Sequence, residues 1–208
     1  MRRIAKLRLI SPVVYLGLLA IMQVQVDWTA LAEASLALDT ILALAAVTYL
    51  LALMATYWRK PRPLRERRDL WAIAVTLVAI DAVGISTRLE VTQPGAAGLG
   101  MMLTLLGTVL ALWSIAALRS SFSFLPQARQ LVTHGPYALV RHPIYLAGLL
   151  IMAGEIIPRW SLESAILSAV FVGAQLIRLR MEEGLLANTF EAYAAYRANT
   201  PALIPGIY

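Results

Sequence analysis

The stretch THGPYALVRHPIYLAG, Thr133 to Gly148, holds both histidines of the chain, His134 and His142, with two prolines, two tyrosines and an arginine. The sequence on either side is strongly apolar. Gly135-Pro136 reads as a turn. Pro143 fixes its own φ and suits the first turn of a helix, and it pushes His142 out of the α region. His142 is therefore expected at the mouth of a helix, where free N–H groups and the helix dipole favour an anion. Tyr145 follows within the first turn, Gly148 permits close approach by a neighbour, and Arg141 is adjacent. The expectation is a compact polar corner for a polar or anionic ligand.

Composition sets the class around this corner. The chain has 208 residues, 60% of them hydrophobic, and a mean hydropathy of +0.71. Soluble domains are about 45–50% apolar. The expected fold is all-α: a polytopic integral membrane bundle of five to six transmembrane helices, with a C-terminal helical hairpin and the polar corner at its cytoplasmic end. The apolar segments read as Leu9–Val26, Ser35–Trp58, Leu70–Thr87, Leu99–Leu118, Pro143–Ile157 and Ser161–Arg178, the last continuing towards Glu183. The fifth rises only about 22 Å, short of a hydrocarbon core about 30 Å thick. Pro158-Arg159-Trp160 leaves little room for a loop, so the last two segments form a tight hairpin. Residues 1–118 are read as N-terminal transmembrane helices and 119–208 as the C-terminal region of one membrane domain.

Charge gives an orientation. Of eighteen Lys and Arg, all but Arg88 and Arg159 fall on one side of these segments, which predicts cytoplasmic termini and a cytoplasmic active site, in the inner membrane if the source is bacterial. The Arg59–Arg68 run reads as a lipid anchor. No aromatic interleaving supports nucleic acid as a partner. The first segment resembles a signal peptide in its basic start, but it is long and lacks a convincing cleavage site, so it is read as a helix. Cysteine is absent, which excludes disulfides. Two histidines without cysteine fall short of the three or four ligands of a zinc site, and no metal is expected. Asp39, Asp81 and Glu155 lie inside apolar segments, where such residues raise a functional question. Asp39 and Glu155 are expected at solvated outer ends and Asp81 in a hydrogen bond within the bundle. Met101, Met102 and Met152 read as lipid-facing or packing residues.

A second polar cluster, RLRMEEGLLANTFEAYAAY, spans Arg178 to Tyr196. Arg178 and Glu182 are spaced to share one helix face, and Arg180 and Glu183 another. Tyr193 and Tyr196 are also one turn apart. An antiparallel hairpin would bring this cluster to the His142 end.

Together the two clusters give G-P-Y-x-x-V-R-H-P-x-Y-x-G, then E-E, then F-x-x-Y-x-x-Y and a terminal proline segment. These are Gly135, Pro136, Tyr137, Val140, Arg141, His142, Pro143, Tyr145, Gly148, Glu182, Glu183, Phe190, Tyr193, Tyr196, Pro201 and Pro205. The pattern resembles the isoprenylcysteine carboxyl methyltransferase family, within a group of membrane methyltransferases that includes phospholipid methyltransferases. It covers roughly Arg119 to Tyr208, whereas the first hundred residues share only hydropathy with the family. The resemblance implies S-adenosyl-L-methionine as methyl donor. The implied cofactor residues are His134, Gly135, Tyr137, Val140, Arg141, His142, Pro143, Tyr145, Glu182, Glu183, Tyr193 and Tyr196. It also implies that Arg119 and Arg180 hold the substrate carboxylate, with Glu182 the third catalytic residue. The implied partner is a lipophilic small molecule or prenylated substrate entering from membrane lipid. This chain is shorter in its N-terminal half than the carboxyl methyltransferases commonly are.

Methyl transfer from a sulfonium to a carboxylate needs no general base and relies on positioning. An amine acceptor would need one, for which Glu182, Glu183 and His142 are candidates. GAAGLG, Gly95–Gly100, is read as an outer loop with the wrong spacing for a dinucleotide fingerprint. The alternatives are a phospholipid-amine or small-thiol methyltransferase, a nicotinamide-dependent membrane reductase of related architecture, and a proton-coupled transporter motivated by Asp81 and Glu155. A transporter would place its polar residues at the midplane, within repeats that are absent here.

Overall fold

The computed structural model describes residues 65–66, 70–86, 89–118, 127–128 and 130–204. The segments expected at Leu9–Val26 and Ser35–Trp58, with Arg119, Arg129, Pro205, Asp39 and the side chain of Asp81, fall outside the described residues. The described part belongs to one compact unit, residues 60–208. It holds helices α1 (Leu70–Ser86), α2 (Ala97–Leu118), α3 (Pro143–Ile156), α4 (Leu162–Ala187) and α5 (Tyr193–Asn199). One short antiparallel pair, β1 (Arg65–Glu66) and β2 (Gln127–Ala128), sets Arg65 opposite Ala128 and Glu66 opposite Gln127.

Among the described residues, two stretches are long and apolar enough to cross a membrane: Pro94–Leu118, which carries α2, and Leu162–Ala187, which is α4. Their outer faces are apolar. Met102, Leu106 and Val109 on α2 are exposed, as are Leu162, Ile166 and Val170 on α4. Helices that are apolar all round belong in lipid. Hydroxyls within them bond back along the helix: Thr108 to the Thr104 carbonyl, Ser114 to that of Leu110 and Ser168 to that of Ser164. Each of these three hydroxyls thereby has an acceptor within its own helix. Met101 and Met102 are exposed, whereas Met152 is buried. It joins Val75, Ala79 and Ala82 of α1, Ile156 of α3, and Phe171 and Ala174 of α4 in the core.

The helical hairpin forms as expected. Helix α3 has 14 residues, about 21 Å. It runs into a 3-10 turn, Ile157–Arg159, and α4 begins at Leu162. Ser161 caps α4, accepting the Ser164 N–H at 3.1 Å, while the Ser164 hydroxyl accepts the Ser161 N–H at 2.8 Å. The turn is tied to residues before α2: Thr92 and Gln93 N–H groups donate to the Pro158 carbonyl at 3.0 and 2.9 Å. Glu155, expected to be solvated, is half-buried and paired with Arg159 at 3.0 Å.

Gly95–Gly100 is not a loop throughout. Pro94–Ala96 is a 3-10 turn and α2 begins at Ala97, so Gly98 and Gly100 are helical. The reason is packing rather than propensity. A Cβ on Gly100 would lie 2.6 Å from the Gly154 carbonyl oxygen, and one on Gly154 would lie 2.6 Å from that of Gly100. At Gly107 it would lie 2.8 Å from the Ala147 carbonyl oxygen. Antiparallel α2 and α3 thus meet backbone to backbone, through small residues at the contact.

At the other end, α5 docks on the turn before α3. The Tyr196 hydroxyl donates to the Tyr137 carbonyl at 2.6 Å. Burial pushes its ionisation up to about 12, with Arg141 pulling it partly back.

Two predictions follow from this packing. Gly154→Leu should lower stability in detergent by at least about 1–3 kcal/mol. Gly173→Ala, on α4 with nothing within 4 Å of the added carbon, should raise it by about 0.5–1 kcal/mol. Thermal unfolding compares the two. The raised Tyr196 means the unfolded chain releases its proton near pH 10 while the folded protein keeps it to about 12. Its effect on stability is therefore absent below about pH 10 and unfavourable from there towards pH 12. Tyr196→Phe should make the alkaline fall in melting temperature shallower.

Candidate functional site

The stretch from Thr133 folds as its residue types require. Gly135 takes φ of +63°, in the left-handed region that favours glycine. It opens a 3-10 turn, Gly135–Ala138, which buries Pro136 and Tyr137. His142 has φ −126° and ψ 59°, outside the α region, and Pro143 begins α3. His142 makes no side-chain cap. The backbone N–H groups of Arg141 and His142 instead donate to the carbonyls of Pro201 and Ala202, at 2.8 and 3.0 Å.

The hairpin brings the two polar clusters together. Glu183 is buried near the end of α4. Its Oε1 accepts from Arg141 Nε at 3.0 Å and Nη2 at 2.7 Å. His142 Nε2 lies 3.2 Å from the same oxygen. Arg197 Nη2 stands 3.9 Å from Oε2. Arg141 Nη1 also donates to the carbonyls of Arg197 and Thr200. A carboxylate taken out of water needs this many partners.

Glu182 has a different setting. It is half-buried and accepts the Tyr145 hydroxyl at 2.8 Å. The Tyr145 ring packs edge-on against His142, 5.4 Å between centroids. Over the same ring lies the Arg178 guanidinium, 5.4 Å from the centroid, a favourable cation–π arrangement. Arg178 Nη1 donates to Gln175 Oε1 at 3.0 Å.

The neighbouring glutamates are therefore separated by role, one in the fold's ion pair and one at a half-buried rim. Arg180, expected to share a face with Glu183 and to hold the substrate carboxylate, is exposed, and the Glu183 carboxylate is taken by Arg141 and His142. Arg178, which the sequence reading assigned only to a helix-end pair, is the arginine in the cluster. Its spacing to Tyr145 across the hairpin was the missing signal, and that needs the register of α3 against α4. Of the remaining expected residues, Val140 and Pro143 are buried beneath the corner and His134 is exposed at its rim.

Tyr193 is 1% exposed. Its hydroxyl lies beside Glu183 but meets hydrogen-bond geometry with no partner. Burial, then the Glu183 charge, raises its ionisation above the ordinary tyrosine range. Next to this network a cavity of about 410 Å³ is walled by Arg141, Arg197, Ala198, Asn199, Thr200 and Pro201. That volume is within the usual range for small-molecule sites.

Comparison with known proteins agrees with the corner's motif. Residues 96–193 match the family described as phospholipid methyltransferase. The chain is 33% identical over 144 residues to the cobalt-zinc-cadmium resistance protein CzcN of Cupriavidus metallidurans, covering 68% of this chain and 64% of that protein. It is 29% identical over 144 residues to the nickel-cobalt-cadmium resistance protein NccN of Alcaligenes xylosoxydans xylosoxydans, covering 68% and 65%. It therefore spans just under two thirds of the length of these curated relatives. Among solved structures it is similar to the eukaryotic intramembrane Ras methyltransferase, an isoprenylcysteine carboxyl methyltransferase. The TM-score is 0.55 at 22% identity, over 93% of this chain and 74% of the other. That likeness speaks for the fold, and the family match speaks for the segment that carries the site. Residues 96–193 thus carry the match to the phospholipid methyltransferase family, and the fold is similar to that of an isoprenylcysteine carboxyl methyltransferase.

Proposed function

We propose that the protein is an integral membrane methyltransferase that uses S-adenosyl-L-methionine and methylates a lipophilic acceptor, most like an isoprenylcysteine-type carboxylate. The observation that carries this reading is the pairing of His142 and Tyr145 at the start of α3 with Glu183 and Glu182 at the end of α4. The site faces the cytoplasm in this reading, following the charge bias of the sequence. The two curated relatives are named for metal resistance, which states a property of those proteins. The chemistry proposed here concerns the segment shared with the methyltransferase family.

The residues fit the cofactor. The cavity beside Arg141 has the volume for a small molecule, Arg197 offers a half-exposed guanidinium to a carboxylate, and Tyr193 brings a buried hydroxyl that lacks a partner. Glu182 offers a carboxylate to an amine or ribose hydroxyl. When bound, S-adenosyl-L-methionine supplies an electrophilic methyl group on a sulfonium. Tyr145 and Arg178 stand outside that cavity, beside Glu182, where Arg178 would hold an anionic acceptor in place of the expected Arg180. A carboxylate acceptor has no proton to lose. An amine or thiol acceptor would pass its proton to Glu182, the half-buried carboxylate of the pair. The short α3 and the apolar faces around it keep the reaction near lipid and away from bulk water, where a loss of charge is favoured.

Calorimetric titration of the purified protein with S-adenosylhomocysteine, with NADPH in parallel, tests the reading. Saturable binding of the first alone supports it, and binding of NADPH alone replaces it with the reductase. The two glutamates should then part company. Glu183→Ala leaves Arg141 buried without its partner and should lower stability by about 3–5 kcal/mol. Glu182→Gln should leave stability within about 0.5 kcal/mol and weaken S-adenosylhomocysteine at least tenfold. Equal losses of stability in both would remove Glu182 from the site.

A further inference from the structure

Gln175 is a polar residue spent where the fold does not ask for one. It lies near the middle of α4, is 7% exposed, and is flanked by the core residues Phe171 and Ala174. A polar side chain at such a depth commonly serves as glue between helices. Gln175 does not do this. Its hydrogen bond runs along its own helix, from Arg178 Nη1 to Gln175 Oε1 at 3.0 Å. Across the interface its amide nitrogen meets Gly148, where a Cβ would come within 2.9 Å, and the Phe171 ring lies 3.3 Å from the same point. Helix α3 thus presents bare backbone to the amide.

The direction of this bond matters. An arginine near the end of an apolar helix ordinarily extends its head towards water. The polar end of α4 lies beyond Arg178, at Glu182 and Glu183. Gln175 is one turn in the opposite direction, and the guanidinium bonded to it lies over the Tyr145 ring. Gln175, Arg178 and Glu182 follow one another on one face of α4 over about 10 Å. Gly148, Phe171 and Gln175 meet in the contact between α3 and α4, and Tyr145, Arg178 and Glu182 follow towards its polar end.

We propose that Gln175 is a positioning residue of the acceptor site. It holds Arg178 across Tyr145 at the depth where a lipid-borne anion would meet it. This rests on the methyltransferase reading for the acceptor, although the hold on Arg178 is testable without it. Gly148 belongs to the same device, since any side chain there would displace the amide.

The first test is chemical. Phenylglyoxal modification of Arg178, followed by mass spectrometry with Arg197 as internal reference, should be at least fivefold faster in Gln175→Met. Gln175→Glu keeps an acceptor oxygen and should label within twofold of the parent. Gln175→Asn withdraws the amide by one carbon and should label faster, which keeps the test open if the methionine variant fails to fold. Equal labelling of Arg178 in all of them overturns the proposal. The second test is kinetic, with N-acetyl-S-farnesylcysteine as acceptor. Gln175→Met should raise KM about tenfold with kcat within twofold, and should add nothing in an Arg178→Met background. Additive effects in that cycle overturn the proposal, because Gln175 would then act other than through Arg178. S-adenosylhomocysteine affinity should stay within twofold in Gln175→Met. Loss of that affinity in the parent protein itself would instead overturn the methyltransferase reading, while the labelling result still decides the hold on Arg178.

Discussion

The polar end of the molecule depends on one buried carboxylate, that of Glu183. An ionised group in an apolar helix is tolerated only when its charge and its lone pairs are met. Arg141 meets them with two N–H groups on one oxygen, and His142 adds a third contact. Arg141 then uses its remaining nitrogen on the carbonyls of Arg197 and Thr200. Carbonyls at a helix end lack intrahelical partners, so one guanidinium serves both the α4 carboxylate and the end of α5. Three chain segments distant in sequence are fixed by one ion pair. Each depends on the other two, and a network left half-satisfied would be worse than an apolar contact.

The far end of α3 is fixed by a different means. Gly100, Gly107 and Gly154 let α2 and α3 approach to backbone contact, and Pro158 takes two N–H donors from the chain before α2. Dispersion and close packing rather than charge hold this end. A helix of 14 residues pinned at both ends has little freedom to slide. That rigidity holds His142 and Tyr145 against α4, as the proposed methyl transfer would require, since misplacement by about 1 Å is expensive for a reaction.

Much of this was legible in the sequence. His142-Pro143 marked the start of α3, Pro158 marked the turn, and two polar clusters at one end of an antiparallel pair had to meet. These features rest on local backbone rules and on topology. The missed features rest on packing between helices. Gly95–Gly100 looked like a loop because glycine usually marks one, yet Gly100 is there so that another backbone can approach it. Glu155 looked solvated from its position near a helix end, and only the fold shows Arg159 covering it. Arg180 shares a helix face with Glu183 by spacing, and neighbours one turn apart are the ones visible in a sequence. Arg141, forty-two positions away, outbids it.

The choice between neighbouring residues on α4 follows from helix geometry. Each residue turns about 100° from the last. Gln175, Arg178 and Glu182 therefore fall within about 60° of one another, on the face that carries Tyr145 as a neighbour. Leu179 and Glu183 lie further round, where both are buried. Arg180 is turned further still and is exposed. A tandem Glu-Glu at this point gives the chain one carboxylate for each face. The deeper one neutralises the arginine that ties the segments together. The shallower one keeps one hydrogen bond, to Tyr145, and some exposure. Had the chain a single glutamate there, the fold and the proposed ligand would compete for the same oxygens. The pair removes that conflict, and it does so only because Arg141 arrives from the buried side and Tyr145 from the other.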